Sequence, residues 1–269
     1  MKPTLHILDA YIDGIGLLGP GLVDWPTSRD ILNGDAPYEY RTTVLPAPAS
    51  LPPAERRRCG PIVKLSLAVG FEAAAMAGMP VEHLPTVFSA SGGDGKNCHE
   101  ICEMLASDDR LISPTRFHNS VHNAAAGYWS IAAAATATSS VLCAYDASFG
   151  AGLLEALAQV MVDRTPCLLI ACDTSYPQPL HALRPIPDEF GVGLAFSPVR
   201  SARSLARICV RLTSDPADAL TNGAFEQHRA GIPSARSLPL LIALASGRAT
   251  SMVLDYFPNQ RLAVEITPC

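Results

Sequence analysis

Between residues 85 and 173 the chain alternates three short apolar runs with two stretches of helical spacing, and few architectures accept that order. "PTVFSASGGDG" (85–95) is a buried-strand run opening into a glycine-rich turn, and "NCHEICEMLASDD" (97–109) follows as an amphipathic helix. "TSSVLCAYD" (138–146) reads as a strand, "ASFGAGLLEALAQVMVD" (147–163) as a helix, and "TPCLLIACD" (165–173) as another strand. Strands that are apolar at every position have both faces covered, so the expected fold class is α/β, a layered sheet with helices packed on it.

The flanking segments extend this pattern. "LHILDAYIDGIGLLGPG" (5–21) alternates and breaks at Gly-Pro-Gly, which predicts a strand running into a turn. "DWPTSRDILNGD" (24–35) predicts a short helix with Pro26 near its start and Gly34 at its end. Five prolines between Pro37 and Pro53 predict a surface loop. Residues 61–79 carry apolar positions at helical spacing and stop at Gly78-Met79-Pro80. After an irregular proline-rich stretch (177–187), "GVGLAFSPV" and "LARICVRLTS" are expected to form a hairpin, and "TSMVLDYF" and "LAVEITP" are strand-like. One domain across residues 1–269 is expected, with no fixed-period repeat.

Composition excludes several function classes. Net charge is −5 over 269 residues, and basic residues cluster only at Arg56, Arg57 and Arg58, so no nucleic-acid partner is expected. The start carries Asp9 and Asp13 inside its apolar stretch and does not read as a secretion signal, which implies a cytoplasmic protein. No window offers the roughly 20 apolar residues a bilayer span needs. Eight cysteines without framework spacing argue for free thiols.

Three motifs invite chemistry. Cys98-x3-Cys102, fifteen residues, then His118-x3-His122 has the spacing of a zinc site, but thiols at i, i+4 on an amphipathic helix are expected to pack inward, so no metal is assigned. "SASGGDGK" (89–96) lacks the first glycine of a phosphate loop, and Ser91 lacks the Gly-x of a nucleophile elbow; a tight turn after a strand is the better account. Asp146 stands where a strand gives way to a helix, a position that predicts an N-cap carboxylate. At such corners enzymes lower a thiol's pKa; here the corner holds a carboxylate.

"SPTRFHNSVHNAAAGYWSIA" (113–132) resembles the β-ketoacyl synthase part of the thiolase superfamily in Ser113-Pro114, Ser120 and Asn123 to Gly127. "TSSVLCAYDASFGAGLLEAL" resembles the strand and nucleophile-bearing helix that follow, which in active synthases read close to Thr-Ala-Cys-Ser-Ser. Counted without gaps, the family's cysteine falls on Asp146, with Tyr145 the near miss. The resemblance covers roughly residues 1–200 and is strongest with the short chain-length-factor group, through "LPPAERRR", "SPTRFHNSVHNAAAGYW" and the "SFxAGLLEA" pattern. It implies a thiolase-like layered fold, a mixed sheet covered by helices, equivalent to a single half of a ketosynthase.

The resemblance implies a role without catalysis. Neither histidine context of an active synthase follows residue 150, where His181 and His228 are expected among prolines and polar loop residues. Without a thiolate to hold the acyl chain or imidazoles to stabilise an enolate, condensation lacks its agents. The implied role is a chain-length factor that heterodimerises with an active ketosynthase in acyl-carrier-protein-dependent fatty acid or polyketide elongation of the aryl polyene kind, with no cofactor. Alanines 124–126 and 132–135 are expected to form a close-packed partner surface, with His118, Ser120, His122 and Asn123 contacting substrate or partner at its entrance. Tyr128 and Trp129 are expected in the core. The alternatives are a free-standing acyl-transfer or thioester-hydrolysing enzyme using Cys143 or Ser148, and a homodimeric module that sequesters the carrier. Cys143, within the strand, is expected to pack as a small hydrophobe.

Overall fold

The computed structural model describes residues 7–269, so Leu5 and His6 of the first expected strand lie outside the described residues. Strand β1 (Leu8–Leu18) leads through a turn closed by a Gly19–Leu22 bridge into α1 (Trp25–Asn33). Asp24 caps α1 by accepting from Thr27 N, and Gly34 ends it at φ 84°. The proline-rich segment is irregular up to α2 (Pro53–Arg58), and α3 (Pro61–Ala77) stops at Gly78 as its sequence predicts.

Then come β2 (Thr86–Ser89), α4 (Gly95–Ala106), α5 (Pro114–His118), α6 (Ala124–Ala132), β3 (Ser139–Leu142), α7 (Ser148–Asp163) and β4 (Cys167–Asp173). The chain continues through α8 (Leu180–Leu183), β5 (Phe190–Ser197), β6 (Ala206–Thr213), α9 (Gly223–Gly231), α10 (Leu238–Ser246), β7 (Thr250–Phe257) and β8 (Gln260–Pro268).

The eight strands form one mixed sheet in the order β3-β2-β4-β5-β1-β6-β8-β7. β3, β2 and β4 are parallel, and the remaining pairs are antiparallel. The hairpin expected of β5 and β6 does not form, because β1 lies between them and pairs with both. Local alternation reveals all three strands but not that β1 lies between the other two.

Strand β4 shows why the sheet is layered. Leu168, Ile170 and Cys172 face one core with α3 and α6, while Cys167, Leu169 and Ala171 face a second core with α7, α1 and α10. All six are buried, so a continuous apolar run is what period-2 geometry requires of a strand covered on both sides.

Helix α3 approaches the sheet unusually closely. Gly14 and Gly16 share one face of β1, and Gly16 pairs across the ladder with Gly193 of β5. A Cβ at Gly14 would lie 2.1 Å from Ala73 O, at Gly16 2.0 Å from Val69 O, and at Gly193 2.4 Å from Val69 O. The backbone of α3 therefore rests on bare strand backbone. On α3 itself, a Cβ at Gly70 would meet Trp129 Cζ3 and Ile170 Cδ1, both at 2.7 Å, so glycine also makes room for the ring that anchors α6.

Gly16→Ala is expected to destabilise the chain by about 1–3 kcal/mol in chemical denaturation, because the helix must lift off the sheet. Gly127→Ala, in α6 with nothing within 4 Å of the added carbon, is expected to be neutral or stabilising. Equal unfolding midpoints for the two variants would show that the contact is not closed.

Candidate functional site

The three parallel strands end on one rim, where open α/β sheets commonly bind ligands. Asp173, the last residue of β4, is fully buried there. Its carboxylate accepts from Ser91 N at 2.8 Å, Ser91 Oγ at 2.5 Å and Ser234 N at 2.7 Å. Burial pushes its pKa up, and the three hydrogen bonds oppose that shift. The group ties the turn after β2 to the short 3-10 segment Ser234–Ser237 across the sheet end.

Beside it, β3 runs into the corner that precedes α7. Tyr145 has φ 54°, a left-handed conformation that costs a non-glycine residue about 1–3 kcal/mol. The expected N-cap role of Asp146 is not observed: Ala147 is the N-cap residue and makes no side-chain cap bond. Asp146 sits instead in a 3-10 turn (Tyr145–Ala147), its carboxylate turned toward two arginines. Arg184 Nη2 reaches Oδ1 at 2.7 Å, and Arg236 Nη2 lies 3.5 Å from Oδ2. The Arg184 guanidinium also lies 3.7 Å from the centroid of the exposed Tyr145 ring, in cation–π contact.

Cys143 is exposed just beyond β3, not packed inside the strand as expected, because the strand ends at Leu142; its thiol donates to Ser91 O at 3.2 Å. The buried Ser148 hydroxyl accepts from Ala144 N at 3.0 Å and faces Tyr145 O at 2.7 Å and Ala90 O at 3.1 Å. Its single proton is engaged by a main-chain carbonyl, and it holds the corner together.

Of the residues named around α5 and α6, Ser120 and His122 face a groove of about 490 Å³ with Gly93, Cys98, Tyr176 and Leu183. His118 and Asn123 line a different groove, of about 660 Å³, with Phe117, Val121, Tyr128 and Ile131. The turn 118–123 separates the two, so the four residues do not form one site. Asn123 occupies the N-cap position of α6 without a side-chain cap bond, and Ser120 Oγ donates locally to Phe117 O at 2.7 Å.

The alanines divide as well. Ala125, Ala126 and Ala133 are buried in the core shared with α3 and face their own chain, while Ala134 is exposed. Tyr128 and Trp129 are core residues, Tyr128 donating to Asn119 Oδ1 at 3.1 Å.

Two further expectations need correction. Cys98 and Cys102 are exposed, because α4 buries only Gly95 and Asn97 and lies outside the sheet core. Among the described residues, no group of three or more His, Cys, Asp or Glu is placed to hold a metal ion. His228 is not in a loop; it lies buried on α9, with Nε2 2.7 Å from the Tyr38 hydroxyl. Burial lowers its pKa, with Asp188 opposing.

Arg184, Arg236, Asp173 and Tyr176 carried no sequence signal. The two arginines lie 38 and 90 positions beyond Asp146 and are ordinary basic residues until the sheet brings them together.

Residues 32–254 match the family model for the β-ketoacyl synthase N-terminal domain, and the chain belongs to that family. Its fold is the thiolase-like layered arrangement of ketosynthases, resembling solved ketosynthase and chain length factor complexes. One is the ketosynthase ApeO in complex with its chain length factor ApeC from Xenorhabdus doucetiae, with TM-score 0.74 and 20% identity over 96% of this chain and 99% of that chain. The ishigamide ketosynthase/chain length factor gives TM-score 0.71 at 13% identity, over 96% of this chain and 99% of that one. The AntDE:AntF complex, a type II acyl-carrier protein with its ketosynthase bound to the hexaketide, gives TM-score 0.73 at 9% identity, over 98% and 100%. At these identities the likeness is one of fold. Comparison with curated protein sequences finds no match. Among the described residues, no helix is long and apolar enough to cross a membrane.

Two outcomes follow from this geometry. Asp146→Ala is expected to cost about 1 kcal/mol, the upper end for partly exposed ion pairs, and an unchanged melting temperature would mean that the arginines gain nothing from it. His228 resists protonation in the folded state, so its contribution is present above its ordinary value near 6.5 and is lost as pH falls below it. The parent is expected to lose stability relative to His228→Gln between about pH 7.5 and 5.5. Parallel stability profiles would contradict this.

Proposed function

We propose that the chain is a non-catalytic ketosynthase-like subunit that pairs with an active ketosynthase and shapes the cavity limiting the growing chain. Elongation takes place on an acyl carrier protein, in the cytoplasm, with an aryl-polyene-type product. The observation that carries this reading is the corner before α7, where Tyr145 and Asp146 stand and the acid is held by Arg184 and Arg236. A carboxylate so paired is a poor nucleophile, and an acyl-aspartate would be a high-energy mixed anhydride.

Two surface features support a partner. Among the described residues β3 is an edge strand, paired with β2 alone, and strand edges are templates for association. The exposed side of α5 and α6 presents Phe117, Val121 and Ile131 around the 660 Å³ groove, an apolar surface of the kind that marks interaction sites. The solved relatives contribute precedent: two are ketosynthase and chain length factor pairs, and one includes a carrier protein.

The exposure of Cys143 keeps a second reading, an acyl-transfer or thioesterase activity through that thiol. Incubation with an acyl-carrier thioester and intact-mass analysis separates the two: an acyl adduct that disappears in Cys143→Ser would support the enzyme. The subunit reading predicts that coexpression with an active ketosynthase from the same organism gives a 1:1 complex on size exclusion. Separate, monodisperse elution of the two proteins at micromolar concentration would contradict it.

A further inference from the structure

The corner is more than a vacated active site, because it has the makings of an anion pocket. A cavity of about 230 Å³ lies against Tyr145, Asp146, Arg184, Ile186, Pro233 and Arg236. Two guanidiniums face one carboxylate there, leaving one positive charge in excess. The carboxylate is shared unequally, at 2.7 Å from Arg184 and 3.5 Å from Arg236. Arg184 Nε is buried with no hydrogen-bond partner among the described residues.

This cavity adjoins the 490 Å³ groove, and Leu183 and Arg184 belong to the walls of both. Beyond Arg184 the groove wall is mixed: Leu180 and Leu183 stand at its rim and the Tyr176 ring packs against Gly95, while Ser120, His122 and Asp94 also line it, the Asp94 carboxylate being taken up in capping α4. Its volume falls within the roughly 300–1,000 Å³ of small-molecule sites.

We propose that this recess binds an aliphatic chain bearing one carboxylate, the head beside Arg236 and Arg184 and the tail along the groove past Leu183, Tyr176 and Cys98. The planar guanidinium fork matches a carboxylate, and the pocket already holds one in Asp146. A second carboxylate brings two cations and two anions into balance, whereas a dianionic head would overshoot. Every residue named for this recess belongs to one chain, so binding is read on the purified chain alone and its test stands apart from the coexpression test.

Isothermal titration of the purified full chain with decanoate, decanol, acetate, decyl phosphate and inorganic phosphate tests the assignment. Decanoate is expected to bind about tenfold or more tightly than any of the other four. Arg236→Ala, which removes the looser cation, and Cys98→Trp, which fills the groove from an exposed helix position, are each expected to weaken decanoate about tenfold. Decanol binding as well as decanoate, tighter binding of decyl phosphate, or decanoate affinity unchanged in both variants overturns the proposal. A variant that fails to fold leaves the ligand comparison on the parent chain to decide.

Discussion

The structure depends on one steric constraint: a helix backbone lies on a strand pair with no side chains between them. Gly14, Gly16 and Gly193 permit it, since any Cβ there would enter a carbonyl of α3. Once α3 is seated, the space at Gly70 admits Trp129, and Trp129 anchors α6 against Phe71 and Phe88. The position of α6 in turn fixes the turn 118–123 that divides the two grooves. Close packing transmits such a constraint because protein interiors have little free volume to absorb a displacement.

On the rim, a polar weld does what the glycines do in the core. Buried Asp173 joins the turn after β2 to the 3-10 segment that carries Arg236, while Ser148 holds the corner through main-chain contacts. These fixed points bring Arg184 and Arg236 onto Asp146 from segments far apart in sequence. The corner thus combines a strained backbone at Tyr145 with an acid paired to two arginines.

Much of the fold was legible because burial on both faces leaves a plain mark. The apolar runs that became β2, β4 and β5, and the glycine and proline stops of α1 and α3, came directly from period and punctuation. Strand order was not legible, since nothing local says that β1 will slip between β5 and β6. The helical period of α4 was read correctly but its partner was not, so its cysteines were placed inward when that helix faces solvent. At the corner before α7, local position predicts a cap for Asp146, but its carboxylate is held by arginines that are distant in sequence. Arg184 and Arg236 could be recognised only in three dimensions.

The central claim is that this chain contributes form to an elongation reaction whose chemistry belongs to another subunit. The most direct measurement supplies acyl- and malonyl-carrier thioesters to the purified chain, to the ketosynthase, and to both together, and reads product lengths by mass spectrometry. The account predicts no condensation product from this chain alone, and a product distribution set by the pair that changes when this subunit is altered at the 660 Å³ groove. Condensation by this chain alone, or a product distribution indifferent to its presence, would contradict the account.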